Sequence, residues 1–268
     1  MIKQISSLQN PLVKQILQLI EKSRERRKLG LFVIEGQREL LLALKGGYTL
    51  KTVLICKDII TELEFSEIKN HLSESTDIVE ISVEVYQKLS YRTSSEGILA
   101  ISQTKDLSLK NLDISMENSL ILVAESPEKP GNIGALLRTA DAANLDAVIF
   151  ASPKTDMYNP NILRSSVGCV FTNTIATAGT TEVITYLKEK NIDIYCAALQ
   201  GSIYYNDCDF TGKSAIVMGS EDIGLSAEWL ENCSENIIIP MQGEIDSLNV
   251  SVAAGILIFE ARKQRGFN

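Results

Sequence analysis

The stretch IIIPMQGEIDSLNVSVAAGILIFEA, residues 237–261, decides how the second half of the chain is interpreted. A short β-branched run ends at Pro240, a polar loop rich in turn-forming residues follows, and a helical pattern begins near Ser247. This order places a strand end, a loop and a helix N-terminus together. Such a junction presents unpaired backbone N–H and C=O groups, so it can bind a ligand without side chains. The same pattern also fits the last strand and helix of an ordinary α/β domain.

The composition of the 268 residues is that of a globular protein, with 45% hydrophobic and 22% charged residues. The N-terminus has no apolar signal-peptide core, and no run approaches the roughly 18 apolar residues that a membrane helix requires. The five cysteines are scattered without a C-x-x-C pair, which favours reduced thiols in a cytoplasmic protein. Because His71 is the only histidine, the sequence predicts no metal site.

The net charge of −8 hides a gradient along the chain. Residues 1–60 contain 11 Lys and Arg against 5 Asp and Glu, whereas residues 61–268 contain 15 against 29. A helix predicted over residues 10–28 ends in the basic cluster Arg24, Arg26, Arg27 and Lys28. Local positive charge favours phosphate as a partner, although a basic run seen alone is more often a solvated helix face.

Two series of alternating strands and helices predict two α/β domains. Residues 1–102 form the first, a small α/β domain, and residues 103–118 are polar, lack periodicity and are predicted to be a linker. The second domain, residues 119–268, contains continuous apolar runs such as SLILVAE and AIVMG. These runs are typical of strands buried on both faces of a parallel sheet. The run VFTNTI, residues 170–175, is also predicted to be a strand.

Ligands bind at the carboxyl ends of the strands in a parallel sheet, so the loops that follow the strands are candidate binding segments. Three of these loops are rich in turn residues, those after SLILVAE, AIVMG and NIIIP. In the first, Asn132 is expected to cap a helix that carries Arg138 less than two turns further on. Convergence of the three loops at one sheet edge predicts a pocket.

Familiar signatures of other enzyme classes are absent from the sequence. No G-x-G-x-x-G follows a strand into a helix and no G-x-x-x-x-G-K-[ST] occurs, which disfavours a dinucleotide fold and a P-loop. A serine hydrolase would need a histidine partner, and His71 falls in the other domain. Zinc chemistry lacks ligands.

Three motifs, taken in order and spacing, carry a resemblance to a known family. NIGALLRTA (132–140), GSEDIGL (219–225) and IPMQGEIDSLNVSVA (239–253) resemble the three motifs of the SpoU, or TrmH-like, family of RNA ribose 2′-O-methyltransferases. RSSVGCVF (164–171) also resembles a family segment. The N-terminal residues 7–44 resemble the ribosomal-protein-L30e-like RNA-binding domain often attached to these enzymes.

The resemblance implies a trefoil-knotted α/β domain that binds S-adenosylmethionine and forms homodimers. In the family, the backbone of the motif-two and motif-three loops holds the cofactor. The corresponding positions here, with one more after the preceding strand, are Leu199, Gly219, Ile239, Met241 and Leu248. Asn144 stands where a glycine often ends the motif-one helix, and asparagine tolerates the left-handed conformation needed there.

The family's polar motif residues correspond to Asn132, Arg138, Glu221, Ser247 and Asn249. An arginine has a pKa above about 12 and is a poor base, so Arg138 is predicted to stabilise charge or to hold a phosphate. Considered singly, Asn132 could only cap a helix, Glu221 could only fix its loop and Ser247 could only start the last helix.

The predicted function is transfer of a methyl group from S-adenosylmethionine to a ribose 2′-hydroxyl in structured RNA, with ribosomal RNA favoured by the separate N-terminal domain. The predicted RNA contacts are Arg24, Arg26, Arg27, Lys28 and Arg38. Three alternatives stay open: a transfer-RNA 2′-O-methyltransferase, a non-catalytic RNA-binding or ribosome-assembly protein, and a different α/β enzyme that uses a small nucleotide.

Overall fold

The computed structural model describes residues 3–91, 96–114, 117–199, 203–220, 222–244 and 247–267. It divides into two compact units. Unit 1 comprises Met1–Lys105 and Asp156–Thr172, and unit 2 comprises Asp106–Thr155 and Asn173–Asn268. Unit 1 therefore includes a segment that the sequence places in the second domain, and the boundaries predicted at residues 102 and 118 stay a prediction.

The helices and strands follow one another along the chain in two series. The first series is β1 (Lys3–Ile5), α1 (Pro11–Glu21), α2 (Ser23–Leu29), β2 (Leu31–Glu35), α3 (Gln37–Lys45), β3 (Leu50–Ile55), α4 (Glu62–Lys69), β4 (Asp77–Ile81), α5 (Val83–Leu89) and β5 (Ile98–Gln103). The second is β6 (Leu120–Glu125), α6 (Pro130–Ala142), β7 (Ala147–Ala151), α7 (Pro160–Ser165), α8 (Cys169–Thr172), β8 (Ile175–Ala178), α9 (Thr180–Glu189), β9 (Asp193–Ala197), β10 (Ile203–Tyr204), β11 (Ser214–Met218), α10 (Ala227–Asn232), β12 (Glu235–Ile238) and α11 (Val250–Arg265). Among the described residues, no helix is long and apolar enough to cross a membrane.

Unit 1 is built on a mixed sheet whose described strands follow the order β1-β4-β3-β5-β2. The pairs β1–β4 and β3–β4 are parallel, and β5 runs antiparallel to β3 and β2. Helix α1 packs on this sheet through Val13, Ile16 and Leu19, which recur at helical spacing and are buried. Asn10 caps the helix by accepting a hydrogen bond from the backbone of Leu12 at 2.9 Å.

The segment Asp156–Thr172 contributes aromatic side chains to the core of unit 1. Tyr158 stacks on Phe32 with ring centroids 4.3 Å apart, and Phe171 lies 5.2 Å from Tyr48. Burial raises the pKa of Tyr48 and of Tyr158 because the phenolate form would lose its hydration. This packing explains why the segment clusters with unit 1.

Unit 2 contains a wholly parallel sheet, whose described strands follow the order β10-β12-β9-β11-β6-β7-β8. Every residue of β6, β7 and β11 is buried. The prediction of a parallel sheet covered on both faces is therefore confirmed, and with it the α/β fold class. All strand carboxyl ends lie at one edge of this sheet, which is where the ligand was expected.

Three details of the predicted elements are wrong. The predicted helix over 10–28 breaks at Lys22, whose backbone is extended, so α1 and α2 are separate helices. The predicted strand VFTNTI begins as helix α8, because Phe171 packs among the rings of unit 1 and tertiary contacts override β propensity. The last helix begins at Val250 rather than near Ser247, since Asn249 is its cap.

Helices α6 and α11 lie together against the sheet of unit 2. The guanidinium of Arg262, in α11, donates hydrogen bonds to the carbonyl oxygens of Ala143 and Asn144 at the end of α6. Asn144 has a φ of 49°, so the expected left-handed conformation is confirmed. This contact fixes the helix that carries Asn132 and Arg138 to the last helix of the chain.

Candidate active site

A cleft of about 560 Å³ opens in unit 2 at the carboxyl ends of β9, β11 and β12. Its remaining walls come from the first turn of α6 and from the residues that lead into α11. Volumes of this size are typical of sites for small molecules and cofactors. The stretch around residues 237–261 thus forms one side of the cleft, as the strand–loop–helix pattern predicts.

The five positions predicted to hold the cofactor all line this cleft. They are Leu199, Gly219, Ile239, Met241 and Leu248. Sequence reasoning drew them from three separate stretches, and the fold brings them together. Leu199 and Leu248 are partly exposed, at 60% and 39%, although both are large apolar side chains. A ligand bound in the cleft would cover these apolar side chains and remove them from water.

The loop after β11 is a tight turn closed by two backbone hydrogen bonds. Ser220 donates to Gly224 at 3.1 Å, and Gly224 donates to Ser220 at 3.0 Å. A Cβ atom on Gly219 would lie 2.2 Å from the carbonyl carbon of Gly224, so only glycine allows this approach. Because Gly219 lines the cleft, its backbone is directly exposed to a ligand. Glu221, which the resemblance predicts to be a catalytic residue, lies outside the described residues.

A buried carboxylate, that of Glu125, fixes the end of the same loop. Its Oε2 accepts a hydrogen bond from the backbone N–H of Ser226 at 2.8 Å. Its Oε1 accepts from the hydroxyls of Ser226 at 2.8 Å and of Thr180 at 3.2 Å. Ser226 precedes α10 but does not cap it with its side chain. Glu125 was missed by sequence reasoning, although a charged residue that ends an apolar strand was a usable signal.

Two polar residues from different motifs meet beside the cleft. The side-chain nitrogen of Asn249 donates a hydrogen bond to Oδ1 of Asn132 at 3.2 Å. Oδ1 of Asn249 accepts from the backbone N–H of Ser251 at 3.0 Å, which caps α11. Asn132 is not the cap that the sequence predicted: α6 begins at Pro130, which is fixed in φ and lacks an N–H, and Lys129 occupies the cap position.

The remaining predicted polar residues divide between the cleft and the surface. Ser247 lines the cleft together with Asn132 and Asn249. Arg138 is exposed on α6 and is not among the residues that line the cleft in the described part of the chain. The structure of one chain therefore brings together the two asparagines and Ser247, and leaves Arg138 outside.

Four of the five predicted RNA contacts are exposed on unit 1: Arg24, Arg27, Lys28 and Arg38. The prediction that Arg26 contacts RNA is corrected, because Arg26 is only 3% exposed and its guanidinium already forms hydrogen bonds within the protein. It forms a bidentate ion pair with Asp156, with distances of 3.1 and 2.7 Å. It also donates to the carbonyl oxygens of Leu19 and Ile20. Arg26 thus stabilises the turn between α1 and α2 rather than facing a phosphate.

A parallel sheet with a cofactor-sized cleft at its strand ends, walled by a glycine turn and by the start of two helices, defines an α/β enzyme that binds a small cofactor. Residues 119–259 match the model of the SpoU rRNA Methylase family. The chain belongs to this family. Residues 10–100 match a second model, the MRM3-like substrate binding domain.

Similar proteins cover nearly the whole chain. The 23S rRNA (guanosine(2553)-2′-O)-methyltransferase RlmP of Bacillus subtilis (strain 168) is 29% identical over 260 residues, which is 97% of this chain and 99% of the relative. A crystal structure of an RNA 2′-O ribose methyltransferase is 36% identical, covers 98% of this chain and 99% of that chain, and has a TM-score of 0.84. An AdoMet-bound rRNA methyltransferase from Sinorhizobium meliloti is 28% identical, with 98% of both chains covered and a TM-score of 0.90.

These matches confirm the family and the fold class that the three motifs indicated. The bound AdoMet in the Sinorhizobium meliloti protein agrees with the predicted cofactor. The second family model agrees with the predicted substrate-binding character of the N-terminal region.

Proposed function

We propose that this protein transfers a methyl group from S-adenosylmethionine to a ribose 2′-hydroxyl of ribosomal RNA. Membership of the SpoU family and a whole-length relative that methylates 23S rRNA support the substrate and the reaction. The observation that carries the proposal is the cleft itself, which gathers all five predicted cofactor positions beside Asn132, Ser247 and Asn249. Ribosomal RNA as substrate also supports the predicted cytoplasmic location.

The cleft has the chemistry that a nucleoside sulfonium requires. Ile237, Ile239 and Leu257 contribute apolar surface, which suits a flat adenine ring. The glycine turn and the strand ends expose backbone groups that can bind ribose hydroxyls and ring nitrogens. When bound, S-adenosylmethionine supplies an electrophilic methyl group. Leu199, Gly219, Ile239, Met241 and Leu248 are the residues that would hold it.

The ribose hydroxyl must lose its proton as it attacks, and negative charge develops on its oxygen. A guanidinium is a poor base and a good donor to oxyanions, so Arg138 is suited to stabilise this oxygen or to hold a neighbouring phosphate. Asn132 and Asn249 are suited to orient the groups that react, because their amides are fixed to each other. Positioning of this kind is worth roughly 7 kcal/mol or more of the barrier.

The position of Arg138 outside the cleft supports a homodimer, in which a second copy supplies the guanidinium. Helix α11 presents Val252 and Phe259, two turns apart, with exposed fractions of 51% and 42%. An apolar strip on a helix of the catalytic unit is typical of a surface that a partner covers. The proposal therefore includes a homodimer through the C-terminal domain and the family's trefoil knot.

Methyl transfer from tritiated S-adenosylmethionine to purified ribosomal RNA and to transfer RNA tests the proposal. We expect label in ribosomal RNA, and mapping of 2′-O-methyl marks in RNA from cells with and without the gene identifies the nucleotide. Label in transfer RNA alone would change the substrate. Absence of cofactor binding in calorimetry would refute the methyltransferase assignment and favour a non-catalytic RNA-binding protein, whereas cofactor binding without transfer to either RNA would refute both as the acceptor.

A further inference from the structure

A second cluster of exposed groups lies on unit 1 and shares no residue with the catalytic cleft of unit 2. The guanidinium carbon of Arg164 lies 5.6 Å from the centroid of the Tyr91 ring, within the range of a cation–π contact. Tyr91 is 50% exposed although it is a large aromatic residue. The exposed part of the ring is therefore accessible to a ligand, beside the guanidinium of Arg164.

The backbone that carries the ring of Tyr91 is held by the carboxylate of Glu35. The backbone N–H of Tyr91 donates to Oε2 of Glu35 at 3.0 Å, and the hydroxyl of the preceding Ser90 donates to Oε1 of the same carboxylate at 2.5 Å. Pro160 and Leu163 complete a small cavity beside the ring, of about 30 Å³. Such a cavity holds about one water molecule and not a base, so a flat ligand must lie over the ring.

The acidic side chain of Glu39 and the basic side chains around this cavity differ in their exposure to solvent. Glu39 lines the cavity and is 1% exposed, so its carboxylate is withdrawn from the surface. Arg38 lies 3.3 Å from Glu39 and its side chain is 61% exposed. One aromatic ring and two guanidinium groups, from Tyr91, Arg38 and Arg164, are therefore exposed around this cavity.

We propose that Tyr91 and Arg164 form a stacking site for one unpaired base of the RNA substrate, with Arg38 placed to contact a phosphate next to it. Aromatic rings and guanidinium planes are the groups on which unpaired RNA bases stack, whereas the bases of a duplex are hidden from both. The inference rests on the proposed function, which makes RNA the ligand of this unit. Tyr91, Arg164 and Arg38 do not belong to the basic cluster of α2.

Binding of a single-stranded 12-nucleotide oligouridine, measured by fluorescence anisotropy with the full-length protein, tests the site against a 12-base-pair RNA duplex. We expect Tyr91→Ala to weaken the single strand about tenfold. Tyr91→Phe keeps the ring and should keep the affinity, and Tyr91→Leu keeps apolar bulk without a ring and should resemble Tyr91→Ala. Arg164→Gln should weaken binding several-fold, and Arg38→Gln, which removes the phosphate contact, should lower the slope of log K against log salt by about 0.7.

A spectroscopic readout separates stacking from general weakening. An oligonucleotide with one 2-aminopurine should lose fluorescence on binding to the wild-type protein and to Tyr91→Phe, and keep it with Tyr91→Leu. Equal affinities and equal quenching for wild type, Tyr91→Ala and Tyr91→Leu would overturn the stacking site. That result would leave methyl transfer intact, whereas loss of the proposed function appears as absence of transfer by the wild-type protein.

Discussion

The side-chain nitrogen of Asn249 donates to Oδ1 of Asn132 across 117 residues of sequence, at a distance of 3.2 Å. One residue belongs to the first turn of α6 and the other caps α11. The contact joins the first and third sequence motifs at the edge of the cleft. Because both helices are also held at the other end of α6 by Arg262, their relative position is fixed at two points.

Replacement of Asn249 should separate its two roles. Asn249→Ala removes the cap of α11 and should lower the free energy of unfolding by about 1 kcal/mol. Asn249→Asp keeps an acceptor for Ser251 but cannot donate to Asn132, so it should keep stability and lose transfer rate. Thermal melting and the methyl-transfer assay measure the two effects. Wild-type activity in Asn249→Asp would show that the link to Asn132 is dispensable.

Glu125 should control cofactor affinity without touching the cofactor. Glu125→Ala removes the carboxylate that accepts from the partly buried N–H of Ser226, which costs about 1–3 kcal/mol and frees the loop that starts at Gly219. We expect a higher dissociation constant for S-adenosylmethionine by calorimetry. Glu125→Gln retains one carbonyl acceptor and should be intermediate. Alanine at the exposed Glu189 is the matched control, and an equal loss in that variant would exclude a specific role.

Arg138 should be required for transfer and not for cofactor binding. Arg138→Ala removes one charge-stabilising donor, for which we expect a loss of about 10²–10³ in kcat. Calorimetric binding of S-adenosylmethionine to the same variant should equal that of the wild type. Arg138→Lys keeps the charge without the planar fork and should recover only part of the rate. Full activity in Arg138→Ala would refute the assignment.

Arg26 and Arg27 are adjacent in sequence, but substitution of Arg26 should mainly affect stability and substitution of Arg27 should mainly affect RNA binding. Arg26→Met leaves Asp156 without its partner and should lower the free energy of unfolding by about 3–5 kcal/mol. Arg27→Met should change stability by less than about 0.5 kcal/mol, yet weaken RNA binding and lower its salt slope by about 1. Urea unfolding and RNA titration at several salt concentrations distinguish them. Reversal of the two patterns would contradict the assigned burial.

Tyr195 should make the fold sensitive to alkaline pH. Burial raises its pKa to about 12, above the ordinary value of about 10 in an unfolded chain. The resulting stability is fully present below about pH 10 and is lost as the pH rises towards 12. Tyr195→Phe should be less stable at pH 8, since the hydrogen bond to the carbonyl oxygen of Asp209 is absent, but should lose less stability between pH 10 and 12. Urea unfolding across this range measures both slopes, and parallel slopes would contradict the prediction.

Local patterns were sufficient for most elements of this fold. Apolar runs identified β6 and β11, because buried parallel strands need no alternation. VFTNTI was misread because its contacts with Phe32 and Tyr48 come from more than 120 residues away. Short edge strands such as β1 and β10 carry too few residues to leave a pattern.

The residues that line the candidate site could be predicted from the sequence, but the side-chain contacts of Glu125 and Arg26 could not. Turn-rich loops predicted a pocket, and the resemblance of the three motifs to a known family named the residues that line it. The sequence could not show that Glu125 binds Ser226 or that Arg26 is buried. Both contacts join residues at least 100 positions apart. Charge counted along a sequence cannot distinguish a buried guanidinium from a solvated one.

The ion pair between Arg26 and Asp156 has a consequence for anyone who builds chimeras from this protein. Its two members are 130 positions apart, and both belong to unit 1. A fragment that stops at residue 105 would retain the arginine and lose its counter-charge, together with Tyr158 and Phe171. A module exchange with a relative must therefore transplant both stretches of chain, because a single splice point would leave the guanidinium of Arg26 without Asp156.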